Sequence, residues 1–444
     1  MSDRDRAHFE QLFSALSSAL RGAERLYASL NGESTTFVRL NRGRIRQPGS
    51  VLQSTLSLRL VDGRRHATAE LTLSGDAAED RGRGLDAISR LRDVLPALPE
   101  DPHLLLHDSD AVTIDAAEGA PLPGADIVDA ALDAAGEADL VGIYAGGQMW
   151  RAFASSLGQR DWFSRSSFTL DWCLVHAADK AVKSTLAGDR FDHAALVAKM
   201  AEARSQLAIL SRPPKVLTPG SYRAYLSPAA VGEVMGLLSW GGFGARALES
   251  KTSPFNKLED GELALHAAVS LTEDCAGGVA PRFGAEGFPM PAAVPLIAGG
   301  RLVGRLVSPR SSAELGIAQN GASASEQPGS LSMAGGGLDP ANAVHALGTG
   351  VWVGNLWYLN WSDRGVGRFT GMTRFASFWV EDGEIVAPIN VMRFDDSLYN
   401  WFGSALEDLS SQPELQLSTD TYFNRSTDSM RLPGALVREL RFTL

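Results

Sequence analysis

Two histidines four residues apart, His103 and His107, have a spacing that on a helix puts two imidazoles on one face for a zinc ion. The residue after His103 is Leu104, where a metalloprotease base would be glutamate. Asp101-Pro102 before the pair and Asp108 after it read as a connection, so both histidines are expected on a loop or strand. Gly348-Thr349-Gly350 and Gly241-Gly242-Phe243-Gly244 lack the Lys-Ser/Thr ending of a phosphate loop and the three-glycine spacing of a dinucleotide fold, and they read as turns. No Gly-x-Ser-x-Gly elbow is present. His345 and Cys275 stand outside any catalytic-cysteine pattern and are expected to be structural. Asp395-Asp396 reads as a solvated turn. His266, Cys275 and Glu286 are what is left for an enzyme acting alone, and no spacing among them supports a mechanism.

The elements that must carry any site come in two sets. Phe9, Leu12, Phe13, Leu16 and Leu20 recur at helical spacing over residues 5–21. Residues 25–30 and 36–41 are strand-like, with breaks at Gly43 and Pro48-Gly49. Leu52, Leu56, Leu58 and Leu60 alternate with polar residues, turn at Asp62-Gly63 and continue in Ala67, Ala69, Leu71 and Leu73, which predicts a hairpin with one apolar face. Helix is expected near Leu85 to Leu95, at 126–135 and at His193–Leu210, with strands at 140–144, 149–156, 168–174 and 181–186. Ser211-Arg212-Pro213-Pro214-Lys215 stops the last helix and marks a domain boundary, giving 1–211 and 216–444. Beyond it Ser227-Pro228 caps a helix to about Leu238, and strands dominate from about Glu262. Residues 321–337, rich in Gly, Ser and Ala, read as a flexible loop. Four of the nine tryptophans (Trp352, Trp357, Trp361, Trp379) fall within 347–393, which predicts consecutive antiparallel strands around a buried core or an aromatic groove. Glu381-Asp382-Gly383-Glu384 closes a tight hairpin there. The fold class is α+β: an N-terminal α+β domain with an antiparallel sheet, then a β-rich C-terminal domain.

The whole chain of 444 residues is acidic, with 41 basic and 52 acidic residues and a formal net charge of −11. That excludes a general binder of nucleic acid or anionic membrane, whose phosphates need positive surface. Two cysteines, Cys173 and Cys275, are too few for a disulfide framework. With a charged start and no apolar run of membrane-spanning length, a cytoplasmic protein is expected.

Several short motifs, in order, resemble the TldD/PmbA family. The stretch Phe37-Val38-Arg39-Leu40-Asn41-Arg42-Gly43-Arg44-Ile45-Arg46-Gln47 is similar to the family's opening strand pair. Thr252-Ser253-Pro254-Phe255 is followed by Glu286-Gly287-Phe288-Pro289 and by Leu296-Ile297-Ala298-Gly299-Gly300-Arg301-Leu302; Asn320-Gly321 and Val380-Glu381-Asp382-Gly383-Glu384-Ile385 with Pro388 complete the set. The catalytic members of that family look like zinc peptidases with His-Glu-x-x-x-His on a helix and a cysteine ligand near the C-terminus. Two imidazoles and a thiolate would hold the metal that activates water, and the glutamate would take its proton. Counted back from Thr252, the motif belongs near Gly236-Leu237-Leu238-Ser239-Trp240-Gly241, which offers no such ligand, and no histidine occurs between His193 and His266. Where the cysteine belongs, around 422–429, stand Asn424, Arg425 and Asp428.

The resemblance therefore implies a PmbA/TldE-like subunit with no catalytic or metal-ligating residue of its own. Zinc is expected in a TldD-type partner subunit, and the two chains would enclose a chamber that binds unfolded peptide in extended form. On aromatic and glycine content, the expected groove residues are Trp240, Gly241, Trp352, Trp357 and Trp361. The alternatives are a non-catalytic peptide-binding or assembly protein without such a partner, and a divergent enzyme on the same fold.

Overall fold

The computed structural model describes residues 2–117, 123–177 and 180–443. Helix α1 (Ser2–Ser17) buries Phe9, Leu12, Phe13 and Leu16, as their spacing requires. Next come β1 (Arg25–Asn41), β2 (Arg44–Asp62), β3 (Arg65–Thr72) and α2 (Ala77–Val94), whose N-cap Asp76 accepts from the Ala78 and Glu79 N–H groups. Then follow β4 (Val112–Ala116), α3 (Gly124–Ala135), β5 (Asp139–Ser155), β6 (Arg160–Ala177), β7 (Lys180–Gly188) and α4 (His193–Leu210). These strands form one sheet in the order β3-β2-β1-β5-β6-β4, with β7 also on β6; only β4 runs parallel to its neighbour. Leu26, Ala28 and Leu30 pack under α1 and α2, and Val38 and Leu40 under α3 and α4. The opposite side of the same strands carries Glu33, Thr35, Ser167, Thr169 and Asp171 towards the second half of the chain.

The strands here are longer than the sequence pattern suggests. Residues 25–30 and 36–41 belong to one 17-residue strand, and β2 runs through Pro48-Gly49. β3 pairs with β2 only from Thr55 to Asp62, so Pro48 lies on a free edge, where a missing N–H costs the sheet nothing. Likewise 140–144 and 149–156 are one strand, β5, carried across Gly146-Gly147 by its two neighbours.

The second half begins with β8 (Gly220–Leu226), α5 (Pro228–Ser239), α6 (Ala245–Glu249) and α7 (Asn256–Glu259). It continues through β9 (Leu271–Glu273), β10 (Val294–Ala298), β11 (Arg301–Leu302), α8 (Pro309–Leu315), β12 (Ser330–Met333) and α9 (Ala343–Leu347). β13 (Gly350–Val353), β14 (Trp357–Asp363), β15 (Arg368–Met372), β16 (Ser377–Glu381), β17 (Glu384–Pro388) and β18 (Arg393–Ser397) follow. β19 (Leu406–Leu409), β20 (Glu414–Leu417), β21 (Ser429–Leu432) and β22 (Ala435–Phe442) close the chain. One sheet has the order β11-β10-β9-β12-β21-β20; the other is β14-β15-β18-β22-β8-β13-β16-β17, with β19 on β22. Their shared core holds Val231, Val234, Phe243, Phe255, Phe369, Phe394 and Trp401. An α+β architecture with a strand-rich second half is what the sequence predicts.

Three local expectations are corrected. Residues 321–337 are not a structureless loop: β12 lies within them, paired to β9 and β21, with Leu331 and Met333 buried. Only two apolar residues anchor it, so the Gly/Ser content hid the strand. The tryptophan-rich stretch is not a simple meander, because β13 pairs with β8 and β16 while β14 sits at the far edge of the sheet. Asp395 and Asp396 lie on strand β18, and Asp396 is buried, accepting from the Trp401 indole N–H at 2.9 Å and the Arg441 N–H at 3.1 Å.

Candidate functional site

The helix to which the resemblance assigns a zinc motif is α5. Ser227 Oγ accepts from the Ala230 N–H, and Pro228 takes the first turn, where its missing N–H is harmless. Ala230, Val231, Val234, Met235 and Leu238 face the core. Glu233, Gly236, Leu237 and Trp240 fall on the other face, and Trp240 is 68% exposed. The chain leaves the helix through Gly241 at φ +73°, a left-handed turn that glycine adopts without strain. Arg364 Nη2 donates to the Trp240 carbonyl at 2.6 Å, and a Cβ on Gly241 would lie 2.9 Å from that same nitrogen. The Arg364 guanidinium stands 5.9 Å from the centre of the Trp361 ring on β14. Trp240, Gly241 and Trp361 are thus brought together, with Arg364 as their link.

Trp357 lies farther along β14, its ring stacked by Arg374 at 4.3 Å and flanked by Tyr358 at 5.3 Å. Tyr358 is itself 75% exposed and held at φ +58°. The β14–β15 register shifts twice along this edge, and bulges of that kind re-aim side chains. Trp352 does not join the group. It is on β13, across the sheet from β14, and packs on Phe378 at 5.8 Å. The indole Nε1 of Trp361 and the Nε of Arg364 are covered and have no acceptor among the described residues.

Lys183 Nζ of β7 lies 3.9 Å from Glu233 of α5, and Thr185 Oγ1 donates to Asp171 at 2.7 Å. Burial raises the Glu233 carboxyl above its ordinary range; Lys183 opposes that shift and Asp171 adds to it.

A second cluster ties the 418–428 segment to the same sheet. Arg425 is buried and donates from Nη2 to the Ser167 carbonyl and hydroxyl at 2.9 and 2.8 Å, and from Nη1 to the Gly147 carbonyl at 3.4 Å. Its backbone N–H donates to Glu33 at 3.3 Å, and its carbonyl accepts from Arg151 at 3.2 Å. Burial lowers both guanidiniums, Arg151 to about 10, while Glu33 holds each of them up. Close by, Glu273 accepts from the Gly329 and Ser330 N–H groups at 2.9 and 3.0 Å. Burial, helped by the charge of Asp428, pushes Glu273 up to about 7. Cys275 donates its thiol to Glu273, and burial first, with the Glu273 charge, pushes it up to about 12.

His266 caps a turn by accepting from the Ala268 N–H at 3.2 Å, and Glu286 pairs with Arg59 at 2.8 Å. No hydrogen bond or ion pair joins His266, Cys275 and Glu286 among the described residues. His103 and His107 lie in irregular chain, as expected, and have separate contacts: the Ala313 carbonyl at 3.3 Å for His103 and the Phe288 ring at 5.1 Å for His107.

Zinc does not fit where the resemblance places it. The outward end of α5 presents Gly236, Leu237 and Trp240, and the 422–429 segment presents a buried guanidinium, a cation, in place of a thiolate. Sequence reasoning missed Arg364, Lys183, Glu233, Glu273 and the Arg425 network.

The C-terminal half matches the family described as PmbA/TldA metallopeptidase C-terminal domain over residues 219–444. No curated protein sequence matches the chain. Among solved structures, TldE from Thermococcus kodakarensis superposes with a TM-score of 0.77 at 14% identity, covering 98% of this chain and 100% of that one. A candidate modulator of a DNA gyrase from Thermotoga maritima gives 0.74 at 12% identity, with 98% and 99% covered. One from Bacteroides thetaiotaomicron gives 0.72 at 16%, with 99% of each chain covered. At these identities the likeness is one of fold, and it extends over the N-terminal half as well. With its C-terminal half matched and this architecture throughout, the chain belongs to the TldD/PmbA family.

Proposed function

We propose that the chain is a PmbA/TldE-like, metal-free subunit that pairs with a TldD-type zinc peptidase and helps hold unfolded peptide in the shared chamber. The observation that carries this reading is the outward end of α5. Gly236, Leu237 and Trp240 fall where the resemblance counts a metal-binding helix motif, and the Trp240 carbonyl accepts from Arg364, beside Trp361 of β14, instead. β14 is the last strand of its sheet, paired on one side by β15, so an extended peptide could lie along its open side through main-chain hydrogen bonds. Glu233 on the same face of α5, with Lys183 of β7 3.9 Å away, would meet its charged side chains. Catalysis belongs to the partner.

The test has two arms. The purified chain is analysed for bound metal, and it is offered to a TldD-type protein carrying His-Glu-x-x-x-His from the same cell. The expected outcome is no stoichiometric zinc in the chain alone and a stable complex that cleaves peptide. In that complex Trp240→Ala with Arg364→Ala should weaken peptide binding about tenfold, the loss of roughly 1.4 kcal/mol of contact. Stoichiometric zinc on the lone chain, or no complex, would overturn the reading.

A further inference from the structure

Four arginines crowd one corner of an otherwise acidic chain. Arg39, Arg42, Arg44 and Arg46 lie at the joined ends of β1 and β2, and all four are exposed. None forms an ion pair among the described residues, although Glu137 and Asp139 lie beside the hairpin where the Gly43 N–H donates to the Leu140 carbonyl. The tip is a two-residue turn closed by Asn41 and Arg44, with Arg42 at φ +55° and Gly43 at φ +62°. Asparagine or aspartate is the usual first residue of such a turn, and a residue with a Cβ costs about 1 kcal/mol there. A strained position thus presents a guanidinium.

Beside these arginines runs an open sheet edge. β3 covers β2 only from Thr55 onwards, and Ser54 still accepts from the Leu73 N–H; among the described residues Arg44 through Gln53, ~33 Å of strand, have no main-chain partner on that side, and only the Gln53 side chain reaches out, to the Phe423 carbonyl. Arg44 to Ser50 are exposed throughout, Ile45 is 48% exposed and Leu52 67%. Arginines and Pro48 also discourage random edge pairing. Discouragement alone does not call for an arginine at a left-handed turn position, nor for leaving two large apolar side chains on the edge.

The geometry points to this edge as the docking site for an acidic polypeptide strand, which adds to β2 through main-chain hydrogen bonds while its carboxylates meet Arg39, Arg42, Arg44 and Arg46. Charge selects the occupant. Nucleic acid would satisfy the arginines but cannot use the strand's main-chain groups. The inference stands apart from the metal-free reading, since it involves neither α5 nor β14.

Fluorescence anisotropy of the full chain with a labelled ten-residue peptide of alternating Glu and Val tests it. Comparators are the Lys/Val peptide, the Glu/Val peptide N-methylated at alternate residues, and a single-stranded oligonucleotide of equal charge. The Glu/Val peptide should bind, and raising salt should weaken it. N-methylation, or the combined Arg42→Glu, Arg44→Glu and Arg46→Glu variant, should each cost about tenfold or more, with an unchanged melting curve for the variant. The inference fails if the acidic peptide does not bind. It fails equally if N-methylation has no effect and the oligonucleotide binds as well, or if sedimentation shows self-association that the arginine variant abolishes, which would make a second copy the occupant.

Discussion

Glu273 is a carboxyl whose ionisation the fold resists. Two backbone N–H groups favour its charge, yet burial and the neighbouring Asp428 prevail and set it near 7, against 4.5 for a free side chain. Between those values the folded chain holds a proton that the unfolded chain has lost. The stabilisation from that proton is full below about 4.5 and is lost as pH rises through 7, an effect on the order of 3 kcal/mol. Glu273→Gln fixes the neutral state. Melting temperatures measured from pH 5 to pH 8.5 should fall less with rising pH in the variant than in the parent; an equal fall would show that Glu273 titrates normally. Arg425 teaches the complementary lesson about reading single residues. In the sequence it is one more charged residue in a polar run, yet it is a buried guanidinium fully tied to Ser167 and Gly147. Its partners are more than 250 positions away, and no local pattern carries that information.

At the scale of elements, helices were the most legible, because their spacing and caps are local. His193–Leu210 and the Ser227 cap came directly from the chain. Strand ends were not, since pairing partners carry β1, β2 and β5 through breaks that a single strand would not survive. The candidate site shows the same limit. Tryptophan content picks out Trp240, Trp352, Trp357 and Trp361 alike, and only the sheet order separates Trp352 from the β14 pair, Trp357 and Trp361. Two glycines within α5 show how an element and its surroundings divide the work. A Cβ on Gly232 would come within 2.1 Å of Gln416 Oε1, whose amide Nε2 donates to the Pro228 carbonyl at 2.7 Å. A Cβ on Gly236 meets nothing within 4 Å. Gly236→Ala should therefore stabilise by about 0.5–1 kcal/mol, the ordinary preference of a helix for alanine. In Gly232→Ala that gain is offset by displacement of Gln416. Denaturant titration of both variants should rank Gly236→Ala the more stable, and the reverse order would mean that α5 is not packed on β20 as described.

At the scale of the molecule, the Pro213-Pro214 connection separates the sheets but not the cores. Phe378 and Ala376, from the second half, pack in one cluster with Trp172, Val182 and Leu186 of the first sheet. The Ala376 N–H donates to the Ala181 carbonyl at 3.1 Å, and Arg59–Glu286 and Arg310–Asp101 cross the same seam at 2.8 and 2.7 Å. Exposed ion pairs of that kind contribute little, so the apolar contact must hold the halves together. If it does, the two halves cannot melt independently: losing one strips the cover from the other's buried face. Tryptophans in both halves, Trp172 and Trp401 among them, and the backbone signal should report one transition. Phe378→Ala opens a cavity at the seam and should cost about 3–5 kcal/mol, lowering the whole transition while keeping it single. Calorimetry of parent and variant decides the matter. Two resolved transitions in the parent would show that the halves are autonomous, and a variant that loses stability in only one of them would place Phe378 in a private core.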